Sequence, residues 1–335
     1  RVLFRSIQPC TDAIFPAEEV HDLRLLHYSN VLFVQAHRAL FDATTGLALP
    51  GTFLTRFPYQ REAPACSEFR MEITGPASVF PSLDRALLIP SANCSDFGHF
   101  ITETMAFLWP LFMDSRSELE GYPVLLRGCD FQESAASMLF ALLRGVHAFP
   151  VLEQDLPSVV YLKEVVVPEP SLRLQACWSP HHLRTLSGLG DWILSCHPHP
   201  QSVPTDCRLI YLSRSGLGPH SRCVDQEEAL EACLKQMGWC VVHPELHSLA
   251  ELLAVIRAAK VLSGFESSAL HVLGCIDSSL QLPAVILLGD CPSPDYFLQF
   301  RVQRQPGFFI HCTRLDPGSE EPATMRPRLL NCAAE

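Results

Sequence analysis

The chain has 335 residues, which exceeds one ordinary hydrophobic core and suits two domains. Hydrophobic residues make up 48% of it and charged residues 18%, which excludes a disordered chain. The net charge is -11 without any cluster of lysine and arginine, which disfavours a nucleic-acid-binding protein, and no apolar run reaches the ~18 residues of a membrane span.

The cysteine pattern bears on the compartment. The 14 cysteines are scattered, without a CxxC pair or zinc-type spacing. Several lie in apolar segments, among them Cys233, Cys240 and Cys275, which predicts small buried hydrophobes in a reducing compartment. No signal-peptide pattern follows Arg1, although the sequon Asn93-Cys94-Ser95 points the other way. We therefore expect a cytoplasmic protein, either free in the cytoplasm or at the inner face of the membrane.

The first half of the chain is predicted to be β-rich and irregular up to residue 90. A polar loop from 91 to 98 then leads into 99–112, which is apolar on nearly every side and predicts a buried helix. The other predicted elements of this half are strands at 31–34, 87–89, 124–126 and 159–167, and a helix at 133–143.

The second half alternates strands and helices. The predicted elements are strands at 208–212, 239–242, 261–262 and 284–288, and helices at 225–237, at the capping box Ser248-x-x-Glu251 and at 267–273. This order predicts a parallel sheet with covering helices. We divide the chain into an N-terminal domain at 1–175, a C-terminal domain at 176–300 and a tail at 301–335 that is able to pack back on the N-terminal domain.

The helix at 225–237 is predicted in most detail. Its expected buried face carries apolar residues at i, i+3, i+4 and i+7, namely Leu230, Cys233, Leu234 and Met237. Asp225 is the expected cap, and Gly238 follows the end of the helix.

Ligands of open α/β sheets bind beyond the carboxyl ends of the strands. Segments 213–216, 243–245 and 263–268 fall there. A guanidinium at Arg214 can fork onto a diphosphate, or it is a surface arginine on a turn. The helix start after Gly264 suits a phosphate, with hydroxyl donors from Ser267 and Ser268, although plain capping by serine is an equal alternative. Glu266 is then expected either to interact with the dipole of this helix in its first turn, or to bind ribose or sugar hydroxyls.

His99 and Glu103 stand four residues apart and share one helix face. Because the surrounding helix is apolar, charged groups there need a partner or a function. Histidine, whose ordinary pKa is about 6.5, is suited to take the proton of an acceptor hydroxyl. Glu103 either orients it or is itself the base, and a structural pair at the helix start is the remaining alternative.

No metal site is expected. The histidine-rich stretches His181-His182 and His197-Pro198-His199 are interrupted by proline and have no acidic or cysteine partner at usable spacing. The chain contains no Asp-x-Asp, GxGxxG, Walker A or GxSxG motif.

Three of these stretches together resemble glycosyltransferase family 61, including its bacterial members of capsular polysaccharide biosynthesis. They are 96–100 with Glu103, the strand end Ile210-Tyr211-Leu212-Ser213-Arg214, and 264–270. Many members have Gly-Pro-His-Gly-Ala-Gly-Leu in the last stretch, so Glu266 replaces a histidine and Ser267 a glycine.

The resemblance implies two Rossmann-like domains facing a cleft, the GT-B architecture, and an inverting transfer that needs no metal or cofactor. The donor is a nucleotide sugar, with UDP as the favoured nucleotide. It would lie against Ser213, Arg214 and the segment 264–271, which includes His271, on the C-terminal domain. The acceptor, a glycan or lipid-linked saccharide, would lie on the N-terminal domain with His99 and Glu103. Peripheral membrane association stays open.

Two other classes remain as alternatives. One is a non-catalytic protein that binds a nucleotide sugar or a glycan on the same scaffold. The other is a nucleotide-sugar epimerase, which the missing dinucleotide motif disfavours.

Overall fold

The computed structural model describes residues 8–9, 23–37, 39–52, 70–73, 75–95, 97–127, 129, 135–174, 177–197, 208–217, 224, 226–277, 279–289 and 293–312. The chain forms two compact units. The N-terminal unit consists of residues 19–185, and the C-terminal unit of residues 1–18 together with 186–335.

Both units are mixed α/β structures that contain parallel strands. The strands are β1 (Gln8–Pro9), β2 (Leu25–Val34), β3 (Ala39–Asp42), β4 (Ser82–Ile89), β5 (Pro123–Leu126), β6 (Phe149–Leu152), β7 (Val159–Pro168), β8 (Leu172–Arg173), β9 (Cys177–Trp178), β10 (Leu209–Leu212), β11 (Cys240–Val242), β12 (Val261–Phe265), β13 (Ala284–Leu288) and β14 (Gly307–His311). The α-helices are α1 (Phe97–His99), α2 (Ala136–Gly145), α3 (Pro180–Cys196), α4 (Glu227–Gln236), α5 (Leu249–Ala258) and α6 (Pro294–Gln303). A π-helix covers Phe100–Thr104, and 3₁₀ helices cover Gln35–His37, Ala77–Val79, Met105–Phe107, Trp109–Phe112, Asp114–Leu119, Glu153–Asp155, Pro244–Leu246 and Ser268–Cys275.

The N-terminal unit is built on a six-stranded sheet in the order β3-β2-β7-β4-β5-β6. Strands β7, β4, β5 and β6 are parallel, whereas β2 pairs antiparallel with both β3 and β7. Branched and aromatic side chains from these strands form one core cluster, including Phe33, Leu88 and Leu162. The strands predicted at 31–34, 87–89, 124–126 and 159–167 are therefore confirmed.

The C-terminal unit has a six-stranded sheet in the order β1-β14-β13-β12-β10-β11. The four strands predicted in this half are β10 to β13 and pair in parallel, as expected. The sheet extends further than predicted, because β14 adds a parallel strand beside β13 and β1 pairs antiparallel with β14 as the edge strand. Most of residues 301–311, assigned to the tail from sequence, thus belong to the end of α6 and to β14. The division between the units falls at 185/186, within α3.

The segment 99–112 is helical, but not one α-helix. It runs from α1 through the π-helix into 3₁₀ turns. The Ala106 carbonyl would accept the amide of residue 110 in an α-helix, and Pro110 has no such amide. Ser171 takes that place, donating to the Ala106 oxygen from its backbone nitrogen at 2.8 Å and its hydroxyl at 2.9 Å. The predicted burial holds, since Phe100 and Met105 are fully buried.

Helix α4 lies where it was predicted, with Leu230 and Leu234 packed against the core of the unit. Leu230, Cys233 and Leu234 are only half-buried, and Met237 is 70% exposed beyond the helix end. The side chains that α4 buries are Glu227 and Glu231. The inner face of α4 is therefore shared between partly buried apolar residues and two buried glutamates. Asp225, the expected cap, lies outside the described residues.

Two other helices follow their local signals. The capping box of α5 is present with both of its hydrogen bonds, from Ser248 and from Glu251. Leu252, Leu253 and Ile256 are buried on the predicted face. The helix predicted at 133–143 is observed as α2, with Glu133 outside the described residues.

The cysteines do not form one class. Cys275 is buried as predicted, and burial raises the pKa of its thiol to about 12. Cys233 is a half-buried free thiol, and Cys240 is disulfide-bonded, so the interpretation of Cys240 as a core hydrophobe is wrong. Disulfides persist in oxidising environments, which weakens the argument for the cytoplasm, and that location stays a prediction. Within the described ranges, none of the helices has the length and apolar character of a membrane span.

Candidate functional site

His99 lies where the chain leaves the carboxyl end of β4. A short loop follows the strand, and α1 then passes directly into the π-helix Phe100–Thr104. Phe100 and Ile101 anchor that helix in the core, both fully buried, while the His99 side chain is 45% exposed. Single π-helical turns within helices recur at functional sites, because they displace side chains from their regular positions.

A hydrogen-bonded chain of three side chains orients the imidazole. His99 Nδ1 lies 2.5 Å from Glu103 Oε1, and Asn93 Nδ2 donates to Glu103 Oε2 at 3.3 Å. Because a carboxylate only accepts hydrogen bonds, Nδ1 carries the hydrogen and Nε2 is the basic nitrogen. This is the arrangement in which histidine acts as a general base with an orienting carboxylate.

Asn93 was not selected from the sequence, where it appeared only as part of a sequon. Its Oδ1 accepts from the Ser95 backbone nitrogen at 3.2 Å and the Ser95 hydroxyl at 2.8 Å, which shapes the loop before α1. Its backbone oxygen accepts from Thr104 Oγ1 at 2.8 Å. The available signal was the Asn-x-Ser turn pattern before a helix. Asp96, part of the same predicted motif, lies outside the described residues.

In the C-terminal unit, Arg214 follows β10 at the carboxyl end of the sheet. Its Nη1 donates to the Glu266 backbone oxygen at 3.0 Å, which joins the end of β10 to the end of β12. Its Nε is buried and has no hydrogen-bond partner among the described atoms. A guanidinium that is anchored by one N–H group and has another N–H group without a hydrogen-bond partner is suited to bind an anion.

The serines of this strand end are held by a carboxylate. Ser213 Oγ donates to Glu231 Oε1 at 2.7 Å, and the Ser215 hydroxyl donates to the same oxygen. His243, from the segment after β11, lies 3.9 Å from Glu231 Oε2. The predicted segments 213–216 and 243–245 therefore meet at one edge of the sheet.

The segment after β12 contributes several features at the same edge. Gly264 allows β12 to approach β10, because a Cβ there would lie 2.9 Å from the Leu212 carbonyl oxygen. Ser267 has a buried hydroxyl without a hydrogen-bond partner among the described residues, and Ser268 is exposed at the start of the 3₁₀ helix. The Glu266 carboxylate accepts from the Ser293 backbone nitrogen at 3.1 Å, so it also holds the loop before α6.

His271 is placed differently from the other predicted donor residues. It is 6% exposed, with Nδ1 2.8 Å from Gln299 Oε1 and its ring stacked on Tyr296 at 4.9 Å. Burial lowers the pKa of this imidazole, which keeps it neutral. These contacts belong to the packing of the Ser268–Cys275 helix on α6, and no described contact connects His271 with Arg214.

Glu227 and Glu231 are the functional candidates that sequence reasoning missed in this unit. Burial raises the pKa of Glu227, although hydrogen bonds from Tyr211 and the Arg214 amide act to lower it. Burial acts on Glu231 in the same direction, but hydrogen bonds from Ser215 and Ser213 prevail and lower its pKa. The signal was their i, i+4 spacing on a helix that was expected to be apolar on its inner face.

Among the residues that the structure describes, no group of three or more His, Cys, Asp or Glu side chains is arranged to hold a metal ion. His182 is fully buried, with Nδ1 3.0 Å from Ser171 Oγ, and His181 packs beside Trp109. His199 lies outside the described residues.

In the described residues, Arg214 follows parallel strand β10 of the C-terminal unit, and the oriented pair His99–Glu103 belongs to the N-terminal unit. The family model for glycosyltransferase 61 matches residues 97–279, more than half of the chain, so the chain belongs to glycosyltransferase family 61. It is therefore a glycosyltransferase, with a donor sugar and an acceptor as its substrates. The matched stretch contains every predicted site residue from His99 to His271. No relative among the curated proteins matches the chain.

Proposed function

We propose that the chain is an inverting glycosyltransferase that moves a sugar from a nucleotide-sugar donor, with UDP as the favoured nucleotide, to a glycan or lipid-linked saccharide. The capsule-type members of the family suggest a polysaccharide precursor as acceptor. The GT-B arrangement of the two units and independence from metal are part of the proposal. The observation that carries it is the pair His99–Glu103, half-exposed and oriented by Asn93.

The proposed reaction divides between the two units. The acceptor hydroxyl oxygen attacks the anomeric carbon from the face opposite the diphosphate, and its proton passes to His99 Nε2 or to Glu103. The bond between the anomeric carbon and the phosphate oxygen breaks, and the diphosphate leaves with the electron pair. Arg214 stabilises the charge that develops on it. One displacement of this kind inverts the anomeric configuration.

Arg214 supports the donor assignment through geometry and charge. Parallel strands β10 and β12 bring Arg214 and Glu266 to the carboxyl edge of the sheet, the place where such sheets bind ligands. The buried hydroxyl of Ser267 adds a donor that has no described partner there. These groups replace the divalent cation that other glycosyltransferases hold with an Asp-x-Asp motif.

The test is a thermal-shift screen with UDP-, GDP-, CMP- and dTDP-sugars, followed by a transfer assay with the sugar nucleotide that stabilises most. Binding to the native state alone raises the melting temperature. We expect one nucleotide class to stabilise the wild type and to lose that effect in Arg214→Ala. The control is Arg208→Ala, an exposed arginine at the opposite end of the same strand. Stabilisation without turnover on any acceptor would favour the non-catalytic binding protein instead.

A further inference from the structure

Two buried carboxylates of helix α4 hold the loop that follows β10. Glu227 Oε1 accepts from the Arg214 backbone nitrogen at 3.0 Å and from the Tyr211 hydroxyl at 2.8 Å. One turn later, Glu231 Oε1 accepts from the hydroxyls of Ser213 and Ser215. Every residue of the loop 213–215 is therefore bonded to one of these two glutamates.

These contacts constrain the direction of the Arg214 side chain. The backbone of Arg214 is held by Glu227, and its Nη1 is held by the Glu266 carbonyl at the end of the neighbouring strand. Hydrogen bonds to the backbone and to the tip of the side chain thus fix the position of the guanidinium. A cation held in this way loses little side-chain entropy when an anion binds.

The burial of the glutamates has no explanation in packing alone. Glu227 is 1% exposed and Glu231 6% exposed, and Glu227 Oε2 is buried without a hydrogen-bond partner among the described atoms. Burying a carboxylate costs free energy that an apolar side chain at the same position would not cost. A helix that served only to cover the sheet would place apolar residues there, as α5 does with Leu252 and Leu253.

We propose that Glu227 and Glu231 are positioning residues, which hold the loop 213–215 so that the Arg214 guanidinium is preorganised for the donor diphosphate. This inference rests on the proposed function, because it assigns Arg214 to the donor. Neither glutamate is expected to touch the substrate. Glu227 acts on the Arg214 backbone, and Glu231 acts through the two serine hydroxyls, with its Oε2 facing Lys235 and His243.

The experiment is calorimetric titration of the full chain with UDP, GDP or dTDP, whichever gives the largest thermal shift. We expect Glu227→Ala to raise the dissociation constant roughly tenfold, the loss of about one charge-assisted hydrogen bond. Glu227→Gln should rescue affinity, because its amide oxygen still accepts from Tyr211 and the Arg214 amide. The control is Glu228→Ala, an exposed glutamate in the first turn of the same helix.

A double-mutant cycle separates positioning from a general loss of stability. If Glu227 acts through Arg214, the substitution Glu227→Ala should change affinity by less than about twofold in an Arg214→Ala background. An equal loss in both backgrounds would overturn the inference, because the effect would then not pass through Arg214.

The remaining outcomes are also decisive. Unchanged affinity in a folded Glu227→Ala protein overturns the positioning role and leaves the proposed function intact. Failure of the wild type to bind any of the three nucleotides overturns the inference, and it also overturns the proposed function if no CMP-sugar stabilises the protein. If Glu227→Ala does not fold, Ser215→Ala removes one hydroxyl bonded to Glu231 at a half-buried position. We expect that variant to bind a few-fold more weakly, and unchanged affinity there overturns the inference.

Discussion

His99 Nδ1 and Glu103 Oε1 lie 2.5 Å apart, where α1 passes into the π-helix of the N-terminal unit. The second carboxylate oxygen is bonded to Asn93, so the glutamate is fixed from two sides while the imidazole remains half-exposed. An oriented, accessible imidazole of this kind is suited to accept a proton from a bound hydroxyl.

The substitution His99→Ala should lower turnover by roughly 10²–10⁴-fold, the usual contribution of general acid–base catalysis. Nucleotide affinity should stay within about twofold of the wild type, because the donor is assigned to the C-terminal unit. Steady-state transfer kinetics and calorimetry measure the two effects. His27→Ala, an exposed histidine of the same unit, is the control. Near-normal turnover in a folded His99→Ala protein would show that His99 and Glu103 have only a structural role.

The substitution Glu103→Gln distinguishes the two candidates for the base. If His99 is the base, the rate rises with pH as the imidazole loses its proton. Removing the neighbouring carboxylate destabilises the imidazolium and lowers the His99 pKa, so the rising limb moves to lower pH. If Glu103 is the base, the variant instead loses nearly all turnover at every pH. The pH dependence of kcat/KM for wild type and variant decides between them.

The substitution Arg214→Ala should weaken nucleotide binding by about 1.5–3 kcal/mol, the range for hydrogen bonds to a charged group. Arg214→Lys should recover part of the loss, since it keeps the charge but not the fork of donors. Calorimetric titration measures both, with Arg208→Ala as the control. Equal affinity in wild type and Arg214→Ala would place the diphosphate elsewhere.

Transfer should survive chelation. The proposal neutralises the leaving diphosphate with Arg214 and backbone or hydroxyl donors rather than with a divalent cation. The rate with excess EDTA should therefore equal the untreated rate, measured with the same donor and acceptor. Loss of activity in EDTA that is restored by Mn²⁺ or Mg²⁺ contradicts this expectation.

Glu227 should make stability depend on pH. Burial raises its pKa in the folded protein above the ordinary value of 4.5. The folded state then binds its proton more tightly than the unfolded state, so the free energy of unfolding falls as pH rises from about 4.5 through the folded-state pKa. Glu227→Gln removes this loss, because an amide does not ionise.

We therefore expect the melting temperature of Glu227→Gln, relative to that of the wild type, to be higher at about pH 7 than at about pH 4. Thermal unfolding at both pH values measures the difference, and Glu228→Gln controls for an exposed charge on the same helix. An equal change in wild type and variant over this range would mean that Glu227 ionises in the folded protein as it does in the unfolded chain.

The candidate sites differ in how far sequence could predict them. His99 and Glu103 were found because charged residues are unusual in an apolar helix. Arg214 was found because it follows a predicted strand of a parallel sheet. Glu227 and Glu231 were missed, since their burial depends on Tyr211, Ser213 and Ser215 lying against α4 in three dimensions.

Elements whose signals are local could be predicted from the sequence alone. The capping box at Ser248 and Glu251 and the branched runs of β7 and β13 depend on interactions between near neighbours, or on burial against any apolar partner. Contacts between residues that are distant in the chain depend on the three-dimensional packing. It placed Ser171 where its backbone nitrogen donates to the Ala106 carbonyl, which Pro110 cannot do, and it added β14 and β1 to the C-terminal sheet. It also turned two glutamates of α4 inward, because the hydrogen bonds that compensate a buried carboxylate come from residues distant in the chain.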